Sequence, residues 1–401
     1  MPTRAALPDL GAEARALTAR TAAPEQDRPA GSGRGRGAWP RLRHLGRPAL
    51  IFLASRVLVM ITVSLAAVTA HRPAAATYAP WDSSWYLLAA RSGYARHLTT
   101  AGGQVISSAH AFFPLFPASV RAVVAVTGLS YVVAGVAAST AFGLAASVAV
   151  WLLARELWGA PAADRATACV CLFPASFVFT IPYAEGAMVA FGAGCLLALL
   201  RQRWLLAGLL GALATATRPN AVVLVACCAW AAAVAVRRQR AWPAVTAPLL
   251  APLGFAGFML YLRARTGRWD TWLTVEHDGW RERLDPAATW TKVSFFVRHP
   301  FTDVNNTLVI LGIAFIVVAG AVLVRARPPG ILLVYTVGTV ALALASQTLG
   351  ARPRFVLTAF PLVAVLGARL RPRALAPVLA VSAGLLCWLT VLTTTTVLAT
   401  P

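Results

Sequence analysis

The sequence predicts an all-α, polytopic integral membrane protein, and three observations carry that expectation. Of its 401 residues, 58% are hydrophobic and only 12% are charged, against about 25% charged in a typical soluble domain. The apolar residues fall in runs near the length a membrane helix needs. Short arginine clusters separate those runs, the pattern that sets membrane topology. The formal charge of +22 does not point to nucleic acid, because the basic residues are spread between apolar runs and not gathered on one amphipathic element. Lys292 is the only lysine, and this arginine bias, together with abundant alanine, suggests a GC-rich bacterial genome.

Residues 1–47 are rich in Ala, Pro, Gly and Arg and contain no apolar run, so they are expected to form a disordered basic tail. The first apolar segment starts too late for a cleavable signal peptide and is about as long as a full span. Arg41, Arg43 and Arg47, just before it, keep the tail on the cytoplasmic side. Residues 48–401 then form the transmembrane domain. A first span over 49–70 leads to an outer loop, 71–130, whose later part, 112–128, is apolar but interrupted by Pro114, Pro117 and Arg121. That part is expected to be an interfacial helix.

A second span covers 131–153. The apolar stretch 166–200 is too long for one span and too short for two, which makes it a tight hairpin with its apex at Pro182-Tyr183-Ala184-Glu185. A second hairpin, 204–236, turns at Thr217-Arg218-Pro219-Asn220. One more span, 242–262, precedes an outer loop at 263–305, and four further spans cover 306–324, 331–348, 355–370 and 374–398. The total is about eleven spans, with the amino terminus inside and both hairpin apices outside.

That topology puts Asp82, Glu185, Arg218, Arg352 and Arg354 on one outer face. Charge at mid-membrane costs about 2.5–3.5 kcal/mol per residue on insertion scales, so charges at hairpin apices suit a shared polar cavity better than lipid contact. Arg56, a turn or two inside the first span, is expected to snorkel to the cytoplasmic surface. The six cysteines all lie in apolar runs and serve as small core hydrophobes. Asp270, Glu276, His277 and Asp278 cluster without a metal-ligand spacing and belong to a solvated loop. No metal or other cofactor is expected.

The segment Trp81-Asp82-Ser83-Ser84-Trp85-Tyr86 places a carboxylate among aromatics. In a helix, Asp82, Trp85 and Tyr86 share a face and address one ligand; Asp before two serines also suits a plain helix N-cap, and Trp and Tyr suit interfacial anchoring. Both readings stand on these residues alone.

With Gly93-Tyr94, Ala111-Phe112-Phe113-Pro114-Leu115-Phe116-Pro117, Phe173-Pro174-Ala175-Ser176-Phe177, Tyr183-Ala184-Glu185 and Arg218-Pro219-Asn220 following in order, the segment resembles the PIG-V family of mannosyltransferases. The resemblance runs from the first span to Asn220, and Arg354-Phe355 with Phe360-Pro361 resembles the family's carboxyl-terminal motif more loosely. It implies a GT-C-type membrane glycosyltransferase that takes mannose from a polyprenyl-phosphate carrier on the extracytoplasmic face and adds it, with inversion, to a glycan or glycolipid acceptor. By that resemblance Asp82 is the general base, while Trp81, Trp85, Tyr86, Tyr183, Glu185, Arg218, Asn220, Arg352 and Arg354 form the substrate site. The acceptor does not come with the family name. A transporter or flippase of lipid-linked sugars, which also needs arginines for phosphate and aromatics for sugar, and a GT-C enzyme acting on another sugar, are the alternatives.

Overall fold

The computed structural model describes residues 39–396 together with 398 and 399. Most of the expected tail, 1–38, lies outside the described residues. The chain divides into two units, Met1–His44 and Leu45–Pro401. Of the first, only residues 39–44 are described, as the opening of a helix; the second holds the rest of that helix and every other described element.

The protein is an all-α, multi-pass membrane fold whose described residues also include one short antiparallel pair, Thr100–Ala101 with Gln104–Val105. Helix α1, Trp39–Thr69, starts before the boundary expected at residue 47, because Arg and Leu in this stretch are good helix formers and the helix runs through Pro48. Six helical stretches among the described residues are long and apolar enough to cross a membrane: Leu45–Thr69, Tyr131–Trp158, Pro219–Gln239, Trp242–Thr266, Val304–Arg325 and Pro372–Thr395. They match six of the eleven expected spans. The other five are short helices, Ala160–Cys171, Glu185–Leu200, Trp204–Thr215, Gly330–Ala345 and Phe360–Arg369. Hydropathy counts apolar residues and does not register the prolines and turns that interrupt them.

The shortness of the first hairpin matters most. After Ala160–Cys171 the chain passes through a turn and the 3₁₀ segment Ser176–Phe179 before Glu185–Leu200 begins. Non-helical backbone inside a membrane fold is tolerated only where protein surrounds it and meets its polar groups. Residues 175–190 are all buried, and Arg56 supplies the donors. Its Nη1 donates to the Ser176 carbonyl at 2.5 Å and to Thr180 Oγ1 at 3.1 Å; its Nη2 donates to the Cys171 carbonyl at 2.7 Å and to Ser176 Oγ at 3.1 Å. With 2% exposure, Arg56 does not snorkel. It is a staple across the broken hairpin, and the Phe52 and Phe179 rings flank its guanidinium.

Tyr131–Trp158 packs along Glu185–Leu200 through small residues that let the backbones approach. A Cβ on Gly186 would lie 3.0 Å from the Gly143 amide nitrogen, so the glycine next to Glu185 lets the start of that helix lie close against Gly143. The stretch expected to be helical between the first two spans forms a helix, Leu115–Thr127, with Phe116 and Val120 buried. Arg121 donates from Nε to the Ala90 carbonyl at 2.7 Å and from Nη2 to the Arg91 carbonyl at 3.0 Å. It thereby ties this helix to the end of a short helix over Asp82–Ser92.

The loops 71–130 and 263–305 pack on one another. Gly279 lies against Ile106, where a Cβ would meet the Ile106 carbonyl at 2.8 Å, and Ser107 Oγ donates to the Gly279 carbonyl at 2.8 Å. The second loop also holds the segment leading to Arg352 and Arg354. Lys292 Nζ donates to the carbonyls of Ser346 and Gln347 at 2.7 and 2.9 Å. The Glu282 carboxylate accepts from the Gln347 amide at 3.0 Å and from the Thr348 hydroxyl. The six cysteines are free thiols, five buried and Cys387 half-buried.

Candidate functional site

Four charged side chains from four separate places in the sequence converge. Asp82 is the first residue of its short helix; Glu185 starts the return limb of the first hairpin; Arg218 caps the 3₁₀ turn of the second; Arg354 lies in the short helix Pro353–Thr358. Arg354 Nη1 donates to Asp82 Oδ2 at 2.5 Å and lies 3.7 Å from Glu185 Oε1. Arg218 Nη1 donates to that same Glu185 oxygen. The Arg354 guanidinium lies over the rings of Phe355 and Tyr183, at 4.7 and 5.4 Å, and that of Arg218 over Phe355 at 5.4 Å. Cation–π packing and charge pairing together hold ionised groups that isolated burial would not tolerate.

Exposure grades across this network. The Glu185 side chain is fully buried and Arg354 and Arg218 are 5% and 11% exposed, while Asp82 is 23% exposed. Asp82 is the accessible end. Its carboxylate makes no cap bond, the N-cap position being Trp81, so the helix-capping reading of Asp82 does not describe it. Around the network several buried polar atoms have no hydrogen-bond partner among the described residues: Glu185 Oε2, Arg218 Nε, Asn220 Oδ1 and Arg354 Nε. Such concentration is uncommon in a settled core.

Arg352 stands half-buried at the amino end of the Arg354 helix. Burial, and then the neighbouring Arg354 charge, lower its pKa to about 10, which still leaves it ionised at neutral pH. The charges of Asp303, Asp82 and Glu282 act on that pKa in the opposite sense.

The aromatic residues each have partners within the protein. Trp81 hooks its indole Nε1–H onto the Thr393 carbonyl at 2.9 Å. Tyr86 is buried edge-on against Phe112 and Phe116. Trp85 stacks on Phe112 and meets Trp280 edge-on. Trp85 and Tyr86 thus pack their rings against Phe112, Phe116 and Trp280, because burying large apolar rings against each other is favourable. Tyr183 is fully buried beneath Arg354.

Glu276 does not stand out in the sequence as a site residue. It sits in a π-turn, Val275–Gly279, a feature common near functional sites, and its side chain is half-buried among other carboxylates. Burial, then the charges of Glu282 and Asp82, push its pKa up to about 8 against the opposing pull of Arg218. Of the cluster to which it belongs in the sequence, Asp270 pairs with Arg268 at the exposed surface at 2.6 Å and Asp278 lies 3.9 Å from Arg283. Among the described residues, no three His, Cys, Asp or Glu side chains lie together as a metal site would require.

No family model and no curated protein matches the chain. Solved structures do. ArnT from Cupriavidus metallidurans, in its structure bound to undecaprenyl phosphate, aligns with a TM-score of 0.52 over 85% of this chain and 62% of its own, at 12% identity. The chain has a GT-C fold. It spans less than two thirds of ArnT. The Archaeoglobus fulgidus oligosaccharyltransferase AglB, in complex with an inhibitory peptide and a dolichol-phosphate, aligns more loosely, at a TM-score of 0.47 and 12% identity over 90% of this chain and 56% of its own. In this chain's GT-C fold, the charged network is assembled from the loop 71–130, both hairpin apices and the segment 352–354.

Proposed function

We propose that this protein is a membrane glycosyltransferase that moves mannose from a polyprenyl-phosphate-mannose donor to a hydroxyl of a glycan or glycolipid acceptor on the extracytoplasmic face. One observation carries the reading: a partly exposed carboxylate, Asp82, ends a buried network of arginines and a glutamate within a GT-C fold. Like ArnT, whose structure holds undecaprenyl phosphate, the chain would address a phosphate on a lipid carrier. The choice of mannose rests on the motif resemblance to the PIG-V family.

In the reaction Asp82 accepts the proton of the acceptor hydroxyl as its oxygen bonds to the anomeric carbon. The bond from that carbon to the phosphate oxygen breaks, and its electron pair leaves on the phosphate. A positioned base of this kind contributes about 10² to 10⁴ in rate. Lipid phosphate is already a good leaving group, so the site needs cationic stabilisation rather than a general acid. Arg218, Arg352 and Arg354 supply it, because guanidinium stays ionised and grips phosphate oxygens in pairs. Glu185 holds Arg218 and Arg354 in place, and Asn220 offers a further polar contact.

Purified protein incubated with short-chain polyprenyl-phosphate-[³H]mannose and a panel of glycan and glycolipid acceptors should form a labelled glycoside. Translocation of the donor across vesicles with no new glycosidic bond would instead identify a flippase.

A further inference from the structure

We propose that Trp81 is a positioning residue whose constrained backbone and indole tether aim the Asp82 carboxylate into the site; the inference rests on Asp82 being the base. Residues Pro80 to Ser83 form a tight turn closed by a bond from the Ser83 amide to the Pro80 carbonyl at 3.1 Å. Trp81 is its first central residue, with φ 51° and ψ −122°. Those angles belong to a type II′ turn, in which that position favours glycine. A Cβ is strained there, and a bulky residue persists at such angles only when its surroundings hold it.

The holder is the end of the last helix, Pro372–Thr395. A helix leaves its final carbonyls without internal partners, and here the loop 71–130 supplies two donors. Trp81 Nε1–H reaches the Thr393 carbonyl at 2.9 Å and Arg72 Nη1 reaches the Thr394 carbonyl at 3.1 Å. The neighbouring hydroxyls fold back on their own helix, Thr393 onto Leu389 at 2.8 Å and Thr394 onto Thr390 at 2.7 Å, and keep that end helical. On the other side of Trp81, its carbonyl accepts from the Ser84 hydroxyl at 2.7 Å and the Ser84 amide at 3.2 Å. Asp82 emerges between these fixed points and meets Arg354. A glycine would make the turn without strain but would carry no tether, and tryptophan accepts the strained angle in exchange for the anchor.

This assigns Trp81 to geometry and not to sugar stacking, and the two roles separate in one series of variants. Trp81→Phe keeps a ring but loses the N–H; Trp81→Gly loses both and relaxes the turn. Each is purified alongside wild type, and three quantities are read: amide exchange over residues 80–86, kcat and KM with polyprenyl-phosphate-[³H]mannose, and Tm. Positioning predicts that Trp81→Phe exchanges its Ser83 and Ser84 amides at least tenfold faster, lowers kcat at least tenfold, and leaves donor KM within about twofold. Stacking predicts normal kcat and KM for Trp81→Phe with a raised KM for Trp81→Gly, and that result overturns the proposal. So does a lower Tm with unchanged kcat per folded molecule, which would mark a merely structural role. If wild type transfers no mannose, the transferase reading falls by itself, and the exchange rates decide whether Trp81 holds the turn: faster exchange in Trp81→Phe supports it and unchanged exchange overturns it.

Discussion

Glu276 shows how position overrides residue type. In a polar outer loop beside His277 and Asp278, its sequence context is that of a solvated charge, yet burial and the nearby Glu282 and Asp82 carboxylates keep it protonated up to about pH 8. A carboxyl whose folded-state pKa is raised binds its proton more tightly in the native state, so it favours folding at low pH. That contribution is lost as pH rises from about 4.5 through about 8. Glu276→Gln cannot ionise, and thermal unfolding in detergent between pH 5 and 9 should show a shallower fall in Tm than wild type over this window; an unchanged slope would contradict the placement. Asp82, Glu185, Arg218 and Arg354, by contrast, are legible as one group, because charge at the apex of an apolar hairpin has few inexpensive places to go. Glu276 lacks that signal, since a charge in a loop reads the same whether the loop is solvated or folded over a site.

Among the elements, the broken first hairpin depends most on one side chain. Arg56 donates to the carbonyls of Cys171 and Ser176, the first of which also accepts from Ser176 Oγ at 2.6 Å, and a hydrogen bond from a charged group contributes about 1.5–3 kcal/mol. Arg56→Met should therefore lower stability by about 2 kcal/mol or more, measured as chemical or thermal unfolding in detergent, while the folded fraction still places Asp82 normally. Near-wild-type stability would show that the hairpin closes without the staple. An arginine one or two turns into a span looks identical in sequence whether it snorkels or turns inward, so its role is not legible there. The hairpins themselves are, from run lengths that suit neither one span nor two, but their 3₁₀ turns and the short helices flanking them follow from tertiary packing that hydropathy does not encode. A similar silence covers Trp81, whose angles would be read from a glycine had one stood there.

Across the whole molecule the site is a product of assembly. The loop 71–130 brings Asp82, the hairpins bring Glu185 and Arg218, and Lys292 and Glu282 on the loop 263–305 hold the segment that delivers Arg354. Contact at Gly279 joins the two loops. Gly279→Val, which drives a side chain into the Ile106 carbonyl, should lower transfer at least tenfold with the membrane helices still folded, as judged by helical circular dichroism; full activity would show that the loops work independently. The fold class and the convergence of the four charges are readable from charge and hydropathy, whereas the carbonyl contacts that tie the loops together carry no residue signature. The central claim is that Asp82 takes the acceptor's proton in a transfer from a lipid-phosphate sugar. The most direct measurement compares wild type and Asp82→Asn for labelled glycoside formed from polyprenyl-phosphate-[³H]mannose, with both proteins matched for folding by Tm. Wild type is expected to form product, and the variant to form it more slowly by about 10² to 10⁴. Equal rates from the two proteins would contradict that claim.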